Sequence, residues 1–119
     1  MAMNSVETLK TNSDFRRAYA RGKSYTNPAL VMYVRKNRAG SCRIGITASK
    51  KIGNAVQRNR ARRVIREAFR QINLPLNGHF DIVFVARTKT VFKKSTDIYN
   101  IMLPMMKEAG VLQNEEAHS

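Results

Sequence analysis

The feature that most constrains this chain is a long segment without a single acidic residue. Between Asp14 and Glu67 lie 52 residues, of which 15 are Lys or Arg. A folded domain with so little internal neutralisation repels itself unless a polyanion lies nearby. The whole chain has a formal net charge of +14 and a pI of about 10.8. This pattern predicts a nucleic-acid partner.

An anionic membrane surface is the competing polyanion. Membrane-surface proteins concentrate basic residues on one amphipathic terminal helix, whereas here the basic residues run along most of the chain. The longest apolar run, residues 29–34, is far too short to span a bilayer, and the N-terminus lacks an apolar stretch of signal-peptide length. We therefore expect a cytoplasmic nucleic-acid-binding protein with no membrane partner.

The length of 119 residues predicts one domain with one modest core. Hydrophobic residues make up 43% of the chain, enough for a folded globule. We expect a single RNA-binding domain over residues 1–119, with an ordered core at about 9–112 and a frayed polar tail at 113–119. Cys42 is the sole cysteine, which excludes an internal disulfide and a thiolate zinc cluster and suits a reducing cytosol.

Apolar periodicity predicts helices alternating with strands. The predicted helices cover residues 13–21, residues 55–72 and a stretch beginning at Ser95 or Thr96, and the predicted strands cover residues 30–35, 43–49 and 80–87. A turn at 37–41 joins the first two strands as a hairpin, and Pro104 should kink or interrupt the last helix. An extra strand near Ser24 is left open. The order α-β-β-α-β-α predicts an α/β (α+β) sandwich, with a single mixed β-sheet and helices mainly on one face.

The most informative segment is the predicted helix at 55–72 with the loop before it. A helical wheel at about 100° per residue gathers the apolar residues in one narrow arc and leaves the basic residues most of the surface. The candidate RNA-binding residues are Lys50, Lys51, Asn54, Arg58, Asn59, Arg60, Arg62, Arg63, Arg66 and Arg70. A solvated surface helix is the alternative, but arginines four residues apart repel one another. The planar guanidinium binds phosphate bidentately, and a helix start also favours an anion.

Three aromatic residues, Phe15, Tyr19 and Tyr33, form a second candidate group. Proteins that bind single-stranded RNA stack bases on aromatic rings while basic side chains hold the backbone. The alternative is that Phe15 and Tyr19 dock the first helix on the sheet. From the residue pattern alone, this packing role is favoured.

Protein-based catalysis has little support in the sequence. There are only two histidines, His79 and His118, and Cys42 has no recognisable histidine partner. The carboxylates are too few and scattered to suggest a metal-binding cluster. We therefore expect no catalytic and no metal-binding residues, which disfavours an autonomous nuclease.

Residues 50–63, with the sequence KKIGNAVQRNRARR, closely resemble the signature of the bacterial ribonuclease P protein family. The core of that signature is Arg58-Asn59-Arg60. The flanks at residues 12–15, 43–45 and 81–87 agree with it, and the resemblance covers about residues 9–106. Tyr19 stands where the family often has Phe, a change that should preserve stacking.

The resemblance implies the small protein subunit of a ribonucleoprotein. In that enzyme a catalytic RNA subunit, using Mg²⁺, hydrolyses the bond that frees the 5′ leader from precursor tRNA. The protein binds this RNA through the motif helix and holds the single-stranded leader in a cleft between the first helix and the sheet. The implied motif residues are Arg58, Asn59, Arg60, Arg62, Arg63 and Arg66, and the implied cleft residues are Phe15, Tyr19 and Tyr33.

The resemblance has further implications. Mg²⁺ is expected to be bound mainly by the RNA and substrate, and no obligate protein partner is expected. The family joins parallel strands by a left-handed βαβ crossover, an exception to the usual right-handed rule. The remaining alternative function is that of a structural ribosomal RNA-binding protein. Such proteins more often carry long basic extensions, and the termini here are not strongly basic.

Overall fold

The computed structural model describes residues 6–113, which form a five-stranded mixed β-sheet and three α-helices. The strands are β1 (Val6–Thr8), β2 (Lys23–Asn27), β3 (Leu30–Lys36), β4 (Cys42–Thr47) and β5 (Phe80–Ala86), and the helices are α1 (Asn12–Arg21), α2 (Ala55–Arg70) and α3 (Ser95–Ala109). One 3-10 turn, Lys50–Ile52, precedes α2, and a 3-10 segment, Thr88–Phe92, follows β5. The predicted tail beyond Gln113, including His118, lies outside the described residues.

The strand order is β1-β4-β5-β3-β2. The central strand β5 runs parallel to β4 and antiparallel to β3. The predicted hairpin between residues 30–35 and 43–49 is therefore wrong, because β5 lies between these two strands. The hairpin is formed instead by β2 and β3, and its turn is fixed by the Ala29 amide, which donates to Asn27 Oδ1 at 2.8 Å.

The predicted fold class, a mixed α/β domain with a single sheet, is confirmed. The strand near Ser24 is present as β2, and β1, which pairs in parallel with β4, was not predicted. Helix α3 continues through Pro104 instead of being interrupted there. Its packing explains this, because Ile98, Met102 and Met106 are fully buried and tertiary packing outweighs local propensity. Helix α2 connects the parallel strands β4 and β5, and the handedness of this crossover stays a prediction.

The main hydrophobic core lies between the sheet and the pair α2 and α3. Alternate residues of each strand point to one face, so Met32 of β3 and Ile82 and Phe84 of β5 are fully buried on this side. The apolar arc of α2 packs against them, with the Phe69 and Phe84 ring centroids 5.9 Å apart. The buried residues of α2 are Ala61, Val64, Ile65, Ala68 and Phe69, as the periodicity predicts.

The opposite face of the sheet is covered by α1 alone among the described helices. A small cluster of Leu9, Ala18 and Val83 is buried there. Phe15 and Tyr33 are only partly buried against this cluster. The apolar surface on this face is thus left partly open. Within residues 6–113, no helix is both long and apolar enough to cross a membrane.

Candidate nucleic-acid interface

The start of α2 is fixed by a reciprocal cap. Asn54 Oδ1 accepts from the Gln57 amide at 2.9 Å, and Gln57 Oε1 accepts from the Asn54 amide at 2.9 Å. Gly53 has φ of 146°, a backbone conformation that only glycine adopts easily. The exposed Lys50 and Lys51 lie in the 3-10 turn just before it. The Asn54 side chain thus serves as a helix cap. Both lysines lie close to the beginning of the helix.

The basic surface of α2 is here called the arginine face, and it consists of Arg58, Arg60, Arg62, Arg63, Arg66 and Arg70. Three of its guanidinium groups donate to uncharged backbone carbonyl oxygens. Arg58 reaches Gly53 O at 2.9 Å, Arg60 reaches Val91 O at 2.9 Å and Arg62 reaches Ala48 O at 3.3 Å. These hydrogen bonds orient the arginine side chains without neutralising their charge.

Counter-charge on the arginine face is sparse. Among residues 6–113, the one ion pair on α2 joins Arg70 Nη1 to Glu67 Oε1 at 3.1 Å. Both side chains are about half exposed, and such pairs contribute little to stability. Asn59 accepts a hydrogen bond from Arg62 at 3.0 Å but carries no charge, while Arg63 and Arg66 are exposed. The arginine face therefore presents most of its positive charge to solvent.

A groove of about 720 Å³ lies between α1 and the sheet and is here called the α1 groove. It is lined by Asn12, Phe15, Arg16, Tyr19, Ile46, Thr47, Ala48, Ser49, Arg62 and Val85. Tyr19 is 40% exposed, and its hydroxyl lies 3.3 Å from Thr47 Oγ1. Tyr33 meets Tyr19 edge to face, with centroids 5.0 Å apart and an interplanar angle of 76°. Tyr33 thus braces Tyr19 but does not itself line the groove.

Phe15 combines packing with exposure to the groove. Its ring lies against Gly45 of β4, where a Cβ atom would come within 2.7 Å of Phe15 Cζ. Only a glycine at position 45 allows the ring to approach the sheet so closely. The packing alternative therefore describes Phe15 well, whereas Tyr19 keeps more of its ring accessible. Their role in binding RNA stays a prediction.

The α1 groove and the arginine face meet at Arg62. This residue lies on α2 and also lines one end of the groove. The structure thus brings Phe15, Tyr19 and Arg62 around one continuous surface. Arg66 and Arg70 line a second, smaller cavity of about 280 Å³ beside β1, and Phe15 borders both this cavity and the α1 groove.

A buried charge network at the start of β5 was not predicted from the sequence. Asp81 is fully buried and accepts two hydrogen bonds from Arg43, each 2.8 Å long. Asn37 Nδ2 donates to it at 2.8 Å, and Arg35 Nη1 lies 3.4 Å away. A lone acidic residue at the start of a strongly apolar strand was the available signal, since buried charges are paired.

Arg43 extends this network to α1. Its Nη1 lies 3.6 Å from Asp14 Oδ2, so one guanidinium joins the central strand to the first helix. The pKa of Asp14 is lowered, mainly by a hydrogen bond with Thr11; desolvation opposes this shift, and the charges of Arg43 and Arg17 add to it. The network holds the helix that forms one wall of the α1 groove.

The other reactive side chains lie away from the α1 groove. His79 is exposed just before β5, and Cys42 is buried with its thiol donating to Gly78 O at 2.9 Å. Across residues 6–113, no three His, Cys, Asp or Glu side chains are grouped to hold a metal ion.

A single-sheet α/β domain with an exposed cationic helix beside an aromatic groove defines a small nucleic-acid-binding protein. The family model described as Ribonuclease P matches residues 3–110. The chain belongs to the ribonuclease P protein family. The predicted function, a ribonuclease P protein that binds RNA and serves tRNA processing, is confirmed at the level of the family.

Curated relatives and solved structures agree with this assignment. A ribonuclease P protein component from Clostridioides difficile (strain 630) is 40% identical over 112 residues, covering 93% of this chain and 98% of the relative. The ribonuclease P protein of Staphylococcus aureus has a TM-score of 0.74 and 35% identity, covering 89% of this chain and 97% of that one. The protein of Thermotoga maritima has a TM-score of 0.73 and 31% identity, covering 86% and 96%.

Proposed function

We propose that this chain is the protein subunit of a cytoplasmic ribonuclease P and has two RNA-binding surfaces. The arginine face binds the catalytic RNA subunit, and the α1 groove holds the single-stranded 5′ leader of precursor tRNA. The observation that carries the proposal is the junction of the two surfaces at Arg62, which belongs to α2 and lines the groove. A protein built this way joins the catalytic RNA and its substrate along one continuous surface.

Electrostatics support the assignment of the arginine face. Three of its guanidinium groups are held by neutral carbonyl oxygens, so they are oriented but remain fully charged. Phosphate groups supply the missing negative charge and accept bidentate hydrogen bonds from arginine. Such contacts do not depend on base sequence, which suits a folded RNA recognised by its shape and backbone.

The shape of the α1 groove supports a single strand as its occupant. The groove lies between a ten-residue helix and the sheet, and its aromatic wall is Phe15 and Tyr19. Unpaired bases stack on such rings, whereas the bases of a duplex are already stacked on one another. Arg16 and Arg62 line the same groove and suit the phosphates of the strand. A leader without secondary structure therefore fits this surface.

Hydrolysis is assigned to the RNA subunit. Mg²⁺, held mainly by that RNA and the substrate, would activate water and stabilise the charge of the leaving oxygen. The protein residues position the partners: the arginine face holds the RNA subunit, and the groove holds the leader on the 5′ side of the scissile bond. No proton transfer is assigned to Cys42 or His79, because neither borders the groove.

A cleavage assay on precursor tRNA at low Mg²⁺ tests the proposal. Three reactions contain the protein alone, the catalytic RNA alone, and both together. Cleavage is expected only when both are present, because the protein compensates for the missing Mg²⁺ by holding the RNA and the leader. Cleavage by the protein alone would contradict catalysis by RNA, and no stimulation by the protein would favour a structural ribosomal role.

Matched variants refine the assay. Arg63→Ala should weaken binding to the catalytic RNA, whereas Arg38→Ala removes the same charge from an exposed loop away from α2 and should not. Cys42→Ala and His79→Ala should leave the single-turnover rate at saturating RNA and Mg²⁺ unchanged. A loss of about a hundredfold in either variant, the smallest effect usual for a missing general acid or base, would show that the protein takes part in the chemistry.

A further inference from the structure

Phe92 is the most exposed large hydrophobic side chain among residues 6–113. Its relative exposure is 80%, compared with 77% for Val56 and 40% for Tyr19. It ends the 3-10 segment Thr88–Phe92 that follows the central strand. A phenylalanine ring in water forgoes its hydrophobic stabilisation, and none of the roles assigned above uses it.

The backbone beneath Phe92 is firmly held. Thr90 is fully buried, its hydroxyl donates to Ala29 O at 2.7 Å and it accepts from the Arg87 amide at 2.8 Å. Val91 is buried in the main core, and the Lys93 amide donates to Thr90 O at 3.1 Å. Phe92 therefore stands on a fixed support, and its exposure is not the result of a loose loop.

The surroundings of Phe92 are strongly basic. Residues 87–94 include four basic side chains and no acidic one, namely Arg87, Lys89, Lys93 and Lys94. Arg60 of α2 joins them, because its Nε donates to the carbonyl of Val91, the residue next to Phe92. An exposed ring among cations is the arrangement with which proteins stack an unpaired base while holding its phosphates.

The position of Arg60 separates this surface from the α1 groove. Arg60 and Arg62 are two residues apart, so they project from α2 about 200° apart. Arg62 lines the α1 groove, and Arg60 reaches the 3-10 segment on the other flank of α2. Val56, one turn before Arg60, lies on the same side. Phe92 therefore extends the arginine face on the side away from the α1 groove.

We propose that Phe92 stacks on an unpaired base of the catalytic RNA, with Arg60 and Lys93 holding the adjacent phosphates. This inference rests on the proposed function, since it adds a contact to the surface that binds the RNA subunit. A protein partner fits less well, because two apolar side chains, Phe92 and Val56, among many cations do not form the large contiguous apolar patch that protein interfaces use. Phe92 lies beside the flank of α2 that carries Arg60, away from the α1 groove. This position favours the RNA subunit over the leader as the source of the base.

Three substitutions at position 92 test the stacking role. Phe92→Ala removes the ring, Phe92→Leu keeps apolar bulk without aromaticity, and Phe92→Trp keeps a stacking surface. Loss of one base–aromatic stack should weaken binding to the catalytic RNA by roughly 5- to 150-fold. Alanine and leucine should both show this loss, whereas tryptophan should not. Because the ring is exposed, thermal melts of all three variants should match that of the parent protein.

Salt dependence separates stacking from charge. Phe92→Ala should lower the affinity without changing the slope of log affinity against log salt. Arg60→Ala removes a phosphate contact and should reduce that slope by about one. An unchanged affinity for Phe92→Ala, with Arg63→Ala still weakened, would overturn this inference and leave the proposed function intact. If both variants bound like the parent, the proposed arginine-face interaction would fail as well.

Phe92→Trp also provides a direct optical readout. The chain contains no tryptophan, so the new indole is the single such fluorophore, and stacking on a base should quench it when catalytic RNA is added. His79→Trp is the matched control, because His79 is exposed at the opposite end of β5. Quenching by catalytic RNA at position 92 alone supports the proposal. Equal quenching at both positions, or quenching only by precursor tRNA, would overturn it.

Discussion

The two faces of the β-sheet are filled to different extents. On the face covered by α2 and α3, Met32, Ile82 and Phe84 are completely buried. On the face covered by α1, Phe15 and Tyr33 are only partly buried. A ten-residue helix is about 15 Å long and cannot cover five strands.

This difference separates stability from binding. The face covered by α2 and α3, here called the closed face, holds most of the buried apolar side chains and should supply most of the hydrophobic stabilisation. The face covered by α1, here called the open face, leaves the Tyr19 ring accessible, and the arginine face lies on the outer side of α2. Substitutions on the two faces should therefore affect different measurements, and four experiments test this separation.

The largest expected effect is on the charged surface. If the arginine face and its loop make roughly 6–10 phosphate contacts, affinity for the catalytic RNA should fall by about 10³–10⁵ between about 50 and 200 mM salt. If the leader lies in the α1 groove, it meets two arginines, Arg16 and Arg62, beside the aromatic rings, so the gain in affinity from a long leader over a short one should change far less with salt. Titrations at several salt concentrations measure both quantities. A nearly flat dependence for the catalytic RNA would refute the electrostatic account of the arginine face.

A substitution in the closed face should reduce stability. Phe84→Ala is expected to lower the free energy of unfolding by about 3–5 kcal/mol, because it leaves a cavity in the main core. Phe15→Ala should cost less, since that ring is already partly exposed. Urea unfolding of both variants gives the comparison. Equal costs would mean that the two faces contribute similarly to stability.

A substitution in the open face should reduce binding. Tyr19→Ala is expected to weaken binding of a long-leader precursor by about 1–3 kcal/mol, the cost of one base–aromatic stack. A precursor with a one-nucleotide leader should be unaffected, because its leader does not reach the groove. Tyr25→Ala is the control, because it removes a tyrosine from the edge strand β2, outside the α1 groove, and should not distinguish the two leaders. Equal losses for both leaders with a lowered Tm would return Tyr19 to a packing role.

The smallest expected effect concerns acid. The lowered pKa of Asp14 means that the folded state favours the charged carboxylate. Its stabilising contribution is therefore present above the unfolded pKa, near 3.8, and is lost as the pH falls through the lower folded value. Urea unfolding at pH 6 and pH 3 should show a smaller decline for Asp14→Asn than for the parent. An identical decline would exclude Asp14 as a contributor to acid sensitivity.

The motif helix could be predicted because its signals are local. The apolar arc, the basic surface and the start at Asn54 all follow from side chains within a few residues of one another. The central strand β5 was likewise evident from its apolar run. The resemblance carried by residues 50–63 then supplied the family, which no periodicity reveals.

The strand order could not be predicted in the same way. The alternation of apolar and polar residues in β3 and β4 indicates that each is a strand, but it does not indicate which strand lies next to it in the sheet. The hairpin prediction failed because β5, which comes much later in the sequence, pairs with both of these strands. The contact of Arg43 with Asp81 is also distant in sequence, and so is that of Arg60 with Val91. The exposure of Phe92 likewise depends on how the segment after β5 is anchored by Thr90.

The place of β5 in the sheet bears on how the chain is made. Of the strands within residues 6–113, β5 alone pairs with both β3 and β4, so without it the sheet divides into two parts. Synthesis runs from the N-terminus, and every basic residue of the acid-free segment is translated before β5. The nascent chain therefore carries the charge of its acid-free segment before it has the strand that joins the two parts of its sheet, and α3, which closes the main core, is translated later still.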